Sequence, residues 1–346
     1  MEPSGTDLSE SWTKLAETIE IARAEVAALA PDAATAAEGE AYVARVVAVS
    51  LGANVLGHLF ADGGLGRALP CYGGPNPDYI MQHSGIDPTV RYRLTGRLNG
   101  SERVGVGLYA IGARGETLEV GYRAFDADNC DAEGGFTLDL APDASGREEM
   151  AVPPEARILL MRTLHRASGE QPARLMLEGG SPQRGLALVT GTPQGALQRA
   201  AGNVLGVIRQ FLVWTRVTSA KPNRLDDPPP ELAAEVQGDR DTHYYLGYYD
   251  LADGEYLEVA MPAELPGYWS LHAYNHWLEW LQSDGVHDRN ARSDADGRIR
   301  VAIGSDVPAG LPNRIDTLGR RRGMLICRII GAAERSIPVA RVVRCR

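Results

Sequence analysis

The chain has 346 residues, of which 44% are hydrophobic and 23% charged, a composition that excludes intrinsic disorder over most of its length. A formal net charge of −10 excludes the broad basic surface by which proteins bind nucleic acid. The only lysines are Lys14 and Lys221, so a catalytic Schiff base on a lysine is hard to build.

The sequence also favours a particular compartment. The N-terminal residues are acidic and polar, without the regions of a secretory signal, and no apolar stretch reaches the ~18 residues of a membrane span. No C-x-x-C pair occurs among the four widely spaced cysteines, Cys71, Cys130, Cys327 and Cys345. We therefore expect a cytoplasmic protein with free, mostly buried thiols.

Helices are predicted over roughly the first seventy residues. Apolar residues at three- and four-residue steps predict a helix that ends at Pro31, with an apolar face of Trp12, Leu15, Ile19, Ala22, Val26 and Leu29. A second helix is predicted from Ala37 to about Phe60, and clustered glycines then predict a loop.

From Arg91 onward the pattern predicts strands. Short alternating runs with turn-rich boundaries occur at 92–95, 104–109, 118–122 and 136–140. A helix from Thr192 to Val217 interrupts them, with Thr192 as its N-cap and Pro193 in its first turn. A polar linker with prolines at 228–230 follows, and strands resume to the end.

The chain matches itself at an offset of 163 to 166 residues. Residues 131–140 align without a gap on 294–303, and residues 158–162 align on 324–328. The matched positions include Tyr92 with Tyr256, Tyr109 with Tyr274, and Arg162 with Arg328. Four matched segments at one offset predict a duplicated β-module.

These patterns predict an α+β fold that is mainly β. N-terminal helices precede two repeated antiparallel β-modules, sandwich- or jelly-roll-like, with an inserted helix. The predicted regions are a helical region at 1–75, a first β-module at 76–180, a helix and proline-rich linker at 181–239, and a second β-module at 240–346.

Several segments resemble one family. Residues 268–279, which read Tyr-Trp-Ser-Leu-His-Ala-Tyr-Asn-His-Trp-Leu-Glu, resemble a signature of the bacterial domain-of-unknown-function family twelve-fourteen. A later segment of that family matches 312–320, except that Arg314 replaces a tryptophan and Arg320 a histidine. The first module carries similar segments at 76–79 and 92–96. The resemblance runs from about residue 37 onward and implies helices before a β-rich body, hydrophobic small-molecule catabolism and no cofactor.

Metal-binding patterns are weak. His272 and His276 are the only histidines four residues apart, but they fall on or beside a predicted strand and lack the glutamate of an H-E-x-x-H motif. The acidic stretch 126–131 begins like a calcium loop, yet Cys130 occupies its fifth position, which favours a hairpin turn. We expect neither a metal nor a cofactor, and whether His272 and His276 together bind a metal stays open.

Polar and aromatic residues at matched places in the two modules predict a site. Ser270, His272 and Tyr274 share one face of their strand, and such residues suit a flat apolar substrate. We predict His276, Tyr274 and His272 as catalytic, with a histidine as general base and Tyr274 as acid or oxyanion donor. The predicted substrate-binding residues are Asn76, Asp78, Tyr79, Tyr244, Asn275, Trp277 and Asp316.

The predicted function is a cofactor-independent, lyase-type enzyme that performs retro-aldol cleavage or elimination on an aromatic or steroid-like molecule. Two other functions stay open: a non-catalytic binding protein for a similar molecule and a carbohydrate-binding jelly roll. It is also open whether the aromatic residues line a pocket or fill a sandwich core. The expected partner is the small-molecule substrate, without nucleic acid or membrane, and assembly into a homo-oligomer stays open.

Overall fold

The computed structural model describes residues 8–56, 61–62, 65–67, 73–112, 117–146, 148–179, 192–233, 240–283, 285–332 and 334–345. Two helices open the described chain, α1 (Leu8–Leu29) and α2 (Ala33–Leu51), and a π-helical turn (Gly52–Leu56) follows. The inserted helix is α3 (Pro193–Ser219), and a single turn, α4 (Pro230–Ala233), lies after it.

The helices confirm most of their sequence pattern, with two corrections. The exposed fraction of Trp12 is 54%, so the prediction that Trp12 lies on the apolar face was wrong. The buried stripe of α1 passes through Ser11 and Leu15, and Trp12 points about 100° away from Ser11 because a helix has 3.6 residues per turn. Helix α2 begins at Ala33 rather than Ala37 because the Asp32 carboxylate accepts a hydrogen bond from the Thr35 amide, at 2.8 Å. Its predicted end near Phe60 lies outside the described residues.

The first half of the chain forms two sheets. A six-stranded sheet has the order β1-β2-β3-β9-β5-β6, and a four-stranded sheet has the order β10-β4-β7-β8. Their strands are β1 (Ala61–Asp62), β2 (Leu65–Arg67), β3 (Tyr79–Gly85), β4 (Tyr92–Arg97), β5 (Arg103–Ile111), β6 (Thr117–Asp126), β7 (Gly135–Ala141), β8 (Glu149–Ala151), β9 (Ala156–Leu164) and β10 (Arg174–Gly179). Strands begin before Arg91, where none was predicted, because the sequence of β3, Tyr-Ile-Met-Gln-His-Ser-Gly, lacks the alternation of apolar and polar residues that predicts a strand.

The second half repeats this arrangement in a five-stranded sheet, β11-β12-β18-β14-β15, and a four-stranded sheet, β17-β16-β13-β19. The strands are β11 (Arg224–Asp226), β12 (Thr242–Asp250), β13 (Glu255–Pro262), β14 (Trp269–Tyr274), β15 (Val286–His287), β16 (Arg298–Ile303), β17 (Arg314–Ile315), β18 (Arg322–Ile330) and β19 (Val339–Arg344). The order β3-β9-β5-β6 recurs as β12-β18-β14-β15, and β10-β4-β7-β8 recurs as β19-β13-β16-β17. The β7–β8 and β16–β17 pairs are both parallel. The exact boundaries of the duplicated units remain a prediction. We use the predicted limits and call residues 76–180 the first module and residues 240–346 the second module.

Each module buries one core between its two sheets. In the first module, Val106 and Met161 of the six-stranded sheet share a buried cluster with Leu94 and Leu138 of the four-stranded sheet. In the second module, Trp269, Leu271 and Ala273 of β14 lie in the corresponding core. The chain is therefore α+β and mainly β, as predicted.

The opposite side of β14 faces away from that core. Ser270, His272 and Tyr274 alternate with the core residues, as the sequence predicted, and we call their side the outer face of the five-stranded sheet. Helix α3 covers part of this face, where Trp214 packs with Tyr248 and Met324. The loop before β3 covers another part.

The structure also tests the predictions about the cysteines and about membrane-spanning helices. Cys130, Cys327 and Cys345 are free thiols, as predicted, but only Cys327 of these three is buried, so the expectation of mostly buried thiols was wrong for Cys130 and Cys345. Cys71 lies outside the described residues. None of the described helices is long and apolar enough to cross a membrane.

Candidate functional site

The loop at residues 73–78 joins the two modules. The Gly74 amide donates to the Leu278 carbonyl at 2.8 Å, and the Tyr274 hydroxyl donates to the Pro75 carbonyl at 2.8 Å. Gly74 has a φ of +65°, and a Cβ there would lie 2.3 Å from the Cδ1 atom of Ile326. Both observations require glycine, because only a residue without a side chain allows the loop this close to the outer face.

A buried hydroxyl, that of Tyr268, collects three polar partners at this junction. It lies 2.7 Å from the Asp78 Oδ2 atom, 2.8 Å from the Ser270 Oγ atom and 2.8 Å from the Asn76 Nδ2 atom. Burial, and then the charge of Asp78, raise the pKa of Tyr268, so the phenol keeps its proton. That single proton goes to the carboxylate, which is the strongest acceptor of the three, while Asn76 donates to the phenol oxygen.

Asp78 is the half-buried end of this network. Its Oδ1 atom has no hydrogen-bond partner in the part of the chain that the structure describes. His287 is close enough for the Asp78 charge to oppose the burial that lowers the His287 pKa. One oxygen of the carboxylate is therefore fixed by Tyr268, and the other is available to a ligand.

Cationic and apolar groups surround Tyr268. The Arg166 guanidinium lies 4.7 Å from the centroid of the Tyr268 ring and pairs with Glu102 at 2.6 Å and Asp288 at 2.5 Å. Tyr79, Leu164 and Ile330 form the apolar part of the same cluster, together with the half-buried Met81. The site thus combines a carboxylate with an apolar wall.

Tyr274 is fully buried beside a second arginine, Arg328. The Arg328 Nη1 atom donates to the Tyr274 hydroxyl at 3.0 Å, and Nη2 donates to the Gly74 carbonyl. Burial raises the pKa of Tyr274, and the Arg328 charge opposes that shift. The first module has the matched pair, in which Arg162 donates to the Tyr109 hydroxyl at 2.9 Å.

The two predicted catalytic histidines have separate surroundings. Burial, followed by the charges of Arg328 and His287, lowers the pKa of His272 to about 3, and its Nδ1 atom lacks a hydrogen-bond partner among the described residues. Burial also lowers the pKa of His276 to about 4, against a weaker opposing effect of the Leu29 backbone. The His276 Nδ1 atom lies 2.6 Å from the Tyr248 hydroxyl. Both rings are therefore neutral at pH 7.

Asn275 and Trp277 hold the second module to the helices. The Asn275 Oδ1 atom accepts hydrogen bonds from the Trp277 and Glu279 amides, both at 3.0 Å. The Trp277 indole donates to the Thr35 carbonyl at 3.0 Å and stacks on Tyr42 with ring centroids 6.0 Å apart. Arg45 of α2 pairs with Glu279, at 2.7 Å between Nη2 and Oε2.

The predicted site residues therefore divide into groups. Asn76, Asp78 and Tyr79 lie together with Tyr268, whose ring centroid is 6.3 Å from that of Tyr79. Tyr244 lies beside Arg328, whose guanidinium carbon is 5.9 Å from the ring centroid, and therefore near Tyr274. Asp316 is exposed and accepts a hydrogen bond from the Leu318 amide at 2.7 Å, and no hydrogen bond or ion pair within the described residues joins it to the cluster.

Sequence reasoning missed Tyr268, Arg166 and Arg328 as members of the site. Asp78 and Asn76 are 190 and 192 residues away from Tyr268 in the chain, so no local pattern indicates them, and only Ser270 is near it in sequence. Arg328 could have been found, since the internal repeat aligns it with Arg162 and each arginine donates to the tyrosine matched by the same repeat.

Two other features of the described residues bear on ligands. No three His, Cys, Asp or Glu side chains in the described residues lie close enough to hold a metal ion. An open groove of about 720 Å³ lies on α1, lined by Thr13, Ala16, Glu17, Ile19, Glu20 and Ile21. The groove contains none of the predicted site residues, so we place the candidate site at Tyr268 instead.

Comparison with known proteins identifies a similar fold. No protein-family model matches the chain, and no similar curated protein was found. The crystal structure of an uncharacterised protein from Burkholderia cenocepacia matches with a TM-score of 0.84 and 27% identity over 97% of each chain. The VPA0106 protein from Vibrio parahaemolyticus matches with a TM-score of 0.46 and 12% identity over 88% of this chain and 99% of that one. The first likeness supports the α+β architecture, and the second is too low to carry an argument.

Proposed function

We propose that the protein is a cofactor-independent acid–base enzyme of the lyase type that acts on a hydrophobic small molecule, with Asp78 as its general base. The observation that supports this is the Tyr268 hydroxyl 2.7 Å from one Asp78 oxygen, while the other oxygen has no partner among the described residues. A carboxylate held at one oxygen and open at the other is oriented to receive a proton.

Asp78 replaces the histidines as base in this proposal. Burial lowers the pKa values of His272 and His276 to about 3 and about 4, because a proton taken up by either ring would create a cation away from water. They are also buried, with exposed fractions of 2% and 4%. Neutral imidazoles suit hydrogen bonding to a substrate better than proton removal from it.

Retro-aldol cleavage needs only this one carboxylate as a proton carrier. Asp78 takes the proton of a β-hydroxyl group, the O–H electron pair forms the new carbonyl, and the bond between the α and β carbons breaks. Its electron pair becomes an enolate, and the Asp78 carboxylic acid returns the proton to the enolate carbon. No oxidant or reductant enters, and the carboxylate ends in its starting state.

The surroundings of Tyr268 support the choice of an apolar substrate. Tyr79, Leu164 and Ile330 supply apolar surface beside the polar network, an arrangement typical of small-molecule sites. Hydrophobic small-molecule catabolism, membership of the resembled family, a cytoplasmic location and homo-oligomerisation remain predictions alongside this proposal.

The experiment tests retro-aldol cleavage of a panel of aldol adducts of acetone with aromatic aldehydes, with and without a carboxylate on the ring, and it monitors release of the aldehyde. We expect Asp78→Asn to lower the rate by about 10²–10⁴-fold, because general acid–base catalysis is lost. The matched control is Asp143→Asn, an exposed aspartate paired with Arg91, which should keep the wild-type rate. An Asp78→Asn variant with wild-type turnover would refute the assignment, and no cleavage of any adduct by the wild type would refute this reaction.

A ligand-binding protein without catalysis is the second candidate. It is favoured by the buried His272 Nδ1 atom without a partner, which would gain a hydrogen bond from a ligand whether or not chemistry follows. In that case ligands would stabilise the fold in calorimetry, and no member of the panel would be converted.

A further inference from the structure

Arg328 is a buried cation without a counter-ion. It lies on β18 with an exposed fraction of 4%, and its hydrogen bonds go to the Tyr274 hydroxyl and the Gly74 carbonyl. A guanidinium has five N–H groups, so three of them have no partner in the part of the chain described here. No carboxylate within that part forms an ion pair with it.

Two other well-covered arginines at this junction are neutralised. Arg166, whose side chain is 6% exposed, pairs with both Glu102 and Asp288. Arg103, whose side chain is 12% exposed, pairs with Asp126 and Asp241. The rings of Tyr244 and Tyr274 lie 5.9 and 6.0 Å from the Arg328 guanidinium, but a ring quadrupole offsets only part of the cost of burying a charge. Arg328 thus lacks the ion pairs that Arg166 and Arg103 have, and a bound anion would neutralise its charge.

A second, independent observation lies on the same outer face. His272 is 2% exposed, and its Nδ1 atom is buried without a hydrogen-bond partner among the residues that the structure describes. Ser270 is the cross-strand neighbour of Arg328, and His272 is the next residue of β14 on that face. The Arg328 charge contributes to the lowered pKa of His272, so the two groups are close.

We propose that Arg328 and His272 bind the carboxylate of an organic monoanion whose apolar remainder packs against the rings beside them. The planar guanidinium matches a carboxylate in two parallel hydrogen bonds, and the neutral imidazole donates a third. A single negative charge balances the single positive charge of Arg328, whereas a phosphate dianion would leave an excess of negative charge beside it. If the protein is an enzyme, as proposed above, this anion site makes its substrate a carboxylic acid. Binding of the carboxylate itself does not depend on the proposed catalysis.

The test uses benzoate, phenylacetate, hexanoate and decanoate, each beside its neutral amide, with the full chain. We expect at least one carboxylate to raise the melting temperature at a concentration of the order of 10 mM, and its amide to raise it much less. Titration calorimetry should then show at least about tenfold weaker binding to Arg328→Gln. The control is Arg93→Gln, which removes an exposed arginine paired with Asp139 and should bind like the wild type.

Arg328→Lys and His272→Gln keep the test decisive if Arg328→Gln fails to fold. The lysine variant keeps the charge but not the planar fork, so it should retain weakened binding with the same preference for carboxylate over amide. Equal binding of a carboxylate and its amide, or no stabilisation by any of the four acids, would overturn the inference. Binding that is lost in Arg328→Gln but kept in Asp78→Asn supports the anion site even if no turnover is found.

Discussion

At the scale of single residues, burial decides the protonation states of the outer face. The ring centroid of His276 lies 4.6 Å from that of Trp277, and its Nδ1 atom lies 2.6 Å from the Tyr248 hydroxyl. Burial among these side chains lowers the pKa of His276 from 6.5 to about 4. In the unfolded chain the same histidine binds a proton at a higher pH. Protonation of His276 therefore opposes folding, and its contribution to stability decreases as the pH falls.

We expect His276 to contribute stability that is fully present above about pH 6.5 and is lost as the pH falls toward about 4. The loss follows because the unfolded state takes up a proton in that window and the folded state does not, and it amounts to at most about 3 kcal/mol. Urea unfolding at several pH values measures it. His276→Gln should flatten the dependence within this window.

His272→Gln serves as the comparison, since the lowered pKa of His272, about 3, extends its window to more acidic pH. The two variants should each remove part of the pH dependence, and the double variant should remove more than either. An unchanged slope in His276→Gln would contradict the burial argument.

The residues of the site could be predicted only in part. Asn76, Asp78 and Tyr274 were found because they belong to polar and aromatic clusters in the sequence, and the structure joins them through one loop. Tyr268 was not chosen, because its role comes from a carboxylate 190 residues earlier in the chain. Contacts of that range depend on how the modules meet, which no local period encodes.

At the scale of elements, local chemistry explains what the sequence could predict. Helix α3 begins where expected, since the Thr192 hydroxyl accepts a hydrogen bond from the Gly195 amide at 3.2 Å and Pro193 occupies the first turn. Strands β5 and β7 were predicted by their alternation. Strand β3 lacks such alternation, and it forms because β9 pairs with it along all seven residues.

The two N-terminal helices depend on one side chain of the second module. Trp277 has an exposed fraction of 1% and belongs to the helical core with Tyr42 and Val46. We expect Trp277→Ala to lower the free energy of unfolding by about 3–5 kcal/mol, because it leaves a cavity and removes the hydrogen bond from the indole to the Thr35 carbonyl. Hydrogen exchange should rise most in α1 and α2.

Trp280→Ala is the matched control, because Trp280 lies three residues further on and is 37% exposed. Its cost should stay near or below about 1 kcal/mol. Trp277→Phe should fall between the two, since it keeps a stacking ring but loses the hydrogen bond to Thr35. Equal costs for the two alanine variants would argue against Trp277 as the anchor of the helices.

At the scale of the whole molecule, the repeated strand order places two arginine–tyrosine pairs at matched positions. Arg162 lies 5.5 Å from the Tyr109 ring centroid in the first module, as Arg328 lies beside Tyr274 in the second. The nearby Tyr244 contributes to the raised pKa of Tyr109, although burial is the largest cause. The two pairs therefore lie near each other where the modules meet, which makes that junction the natural place for a ligand.

The same junction also holds the modules together through ion pairs. Arg166 of the first module joins Glu102 of its own module to Asp288 of the second, with its side chain only 6% exposed. Arg166→Gln leaves the partly buried Asp288 without its cation and Glu102 with only the half-exposed Arg289, so we expect a loss of about 2–4 kcal/mol in the free energy of unfolding. Hydrogen exchange should rise in β3 and β14, beside the junction, but not in β7 or β16 on the far sheets.

Arg341→Gln removes an exposed pair with Glu258 within the second module and should cost less than about 1 kcal/mol. Equal small costs for both variants would mean that apolar contacts, rather than Arg166, hold the modules together.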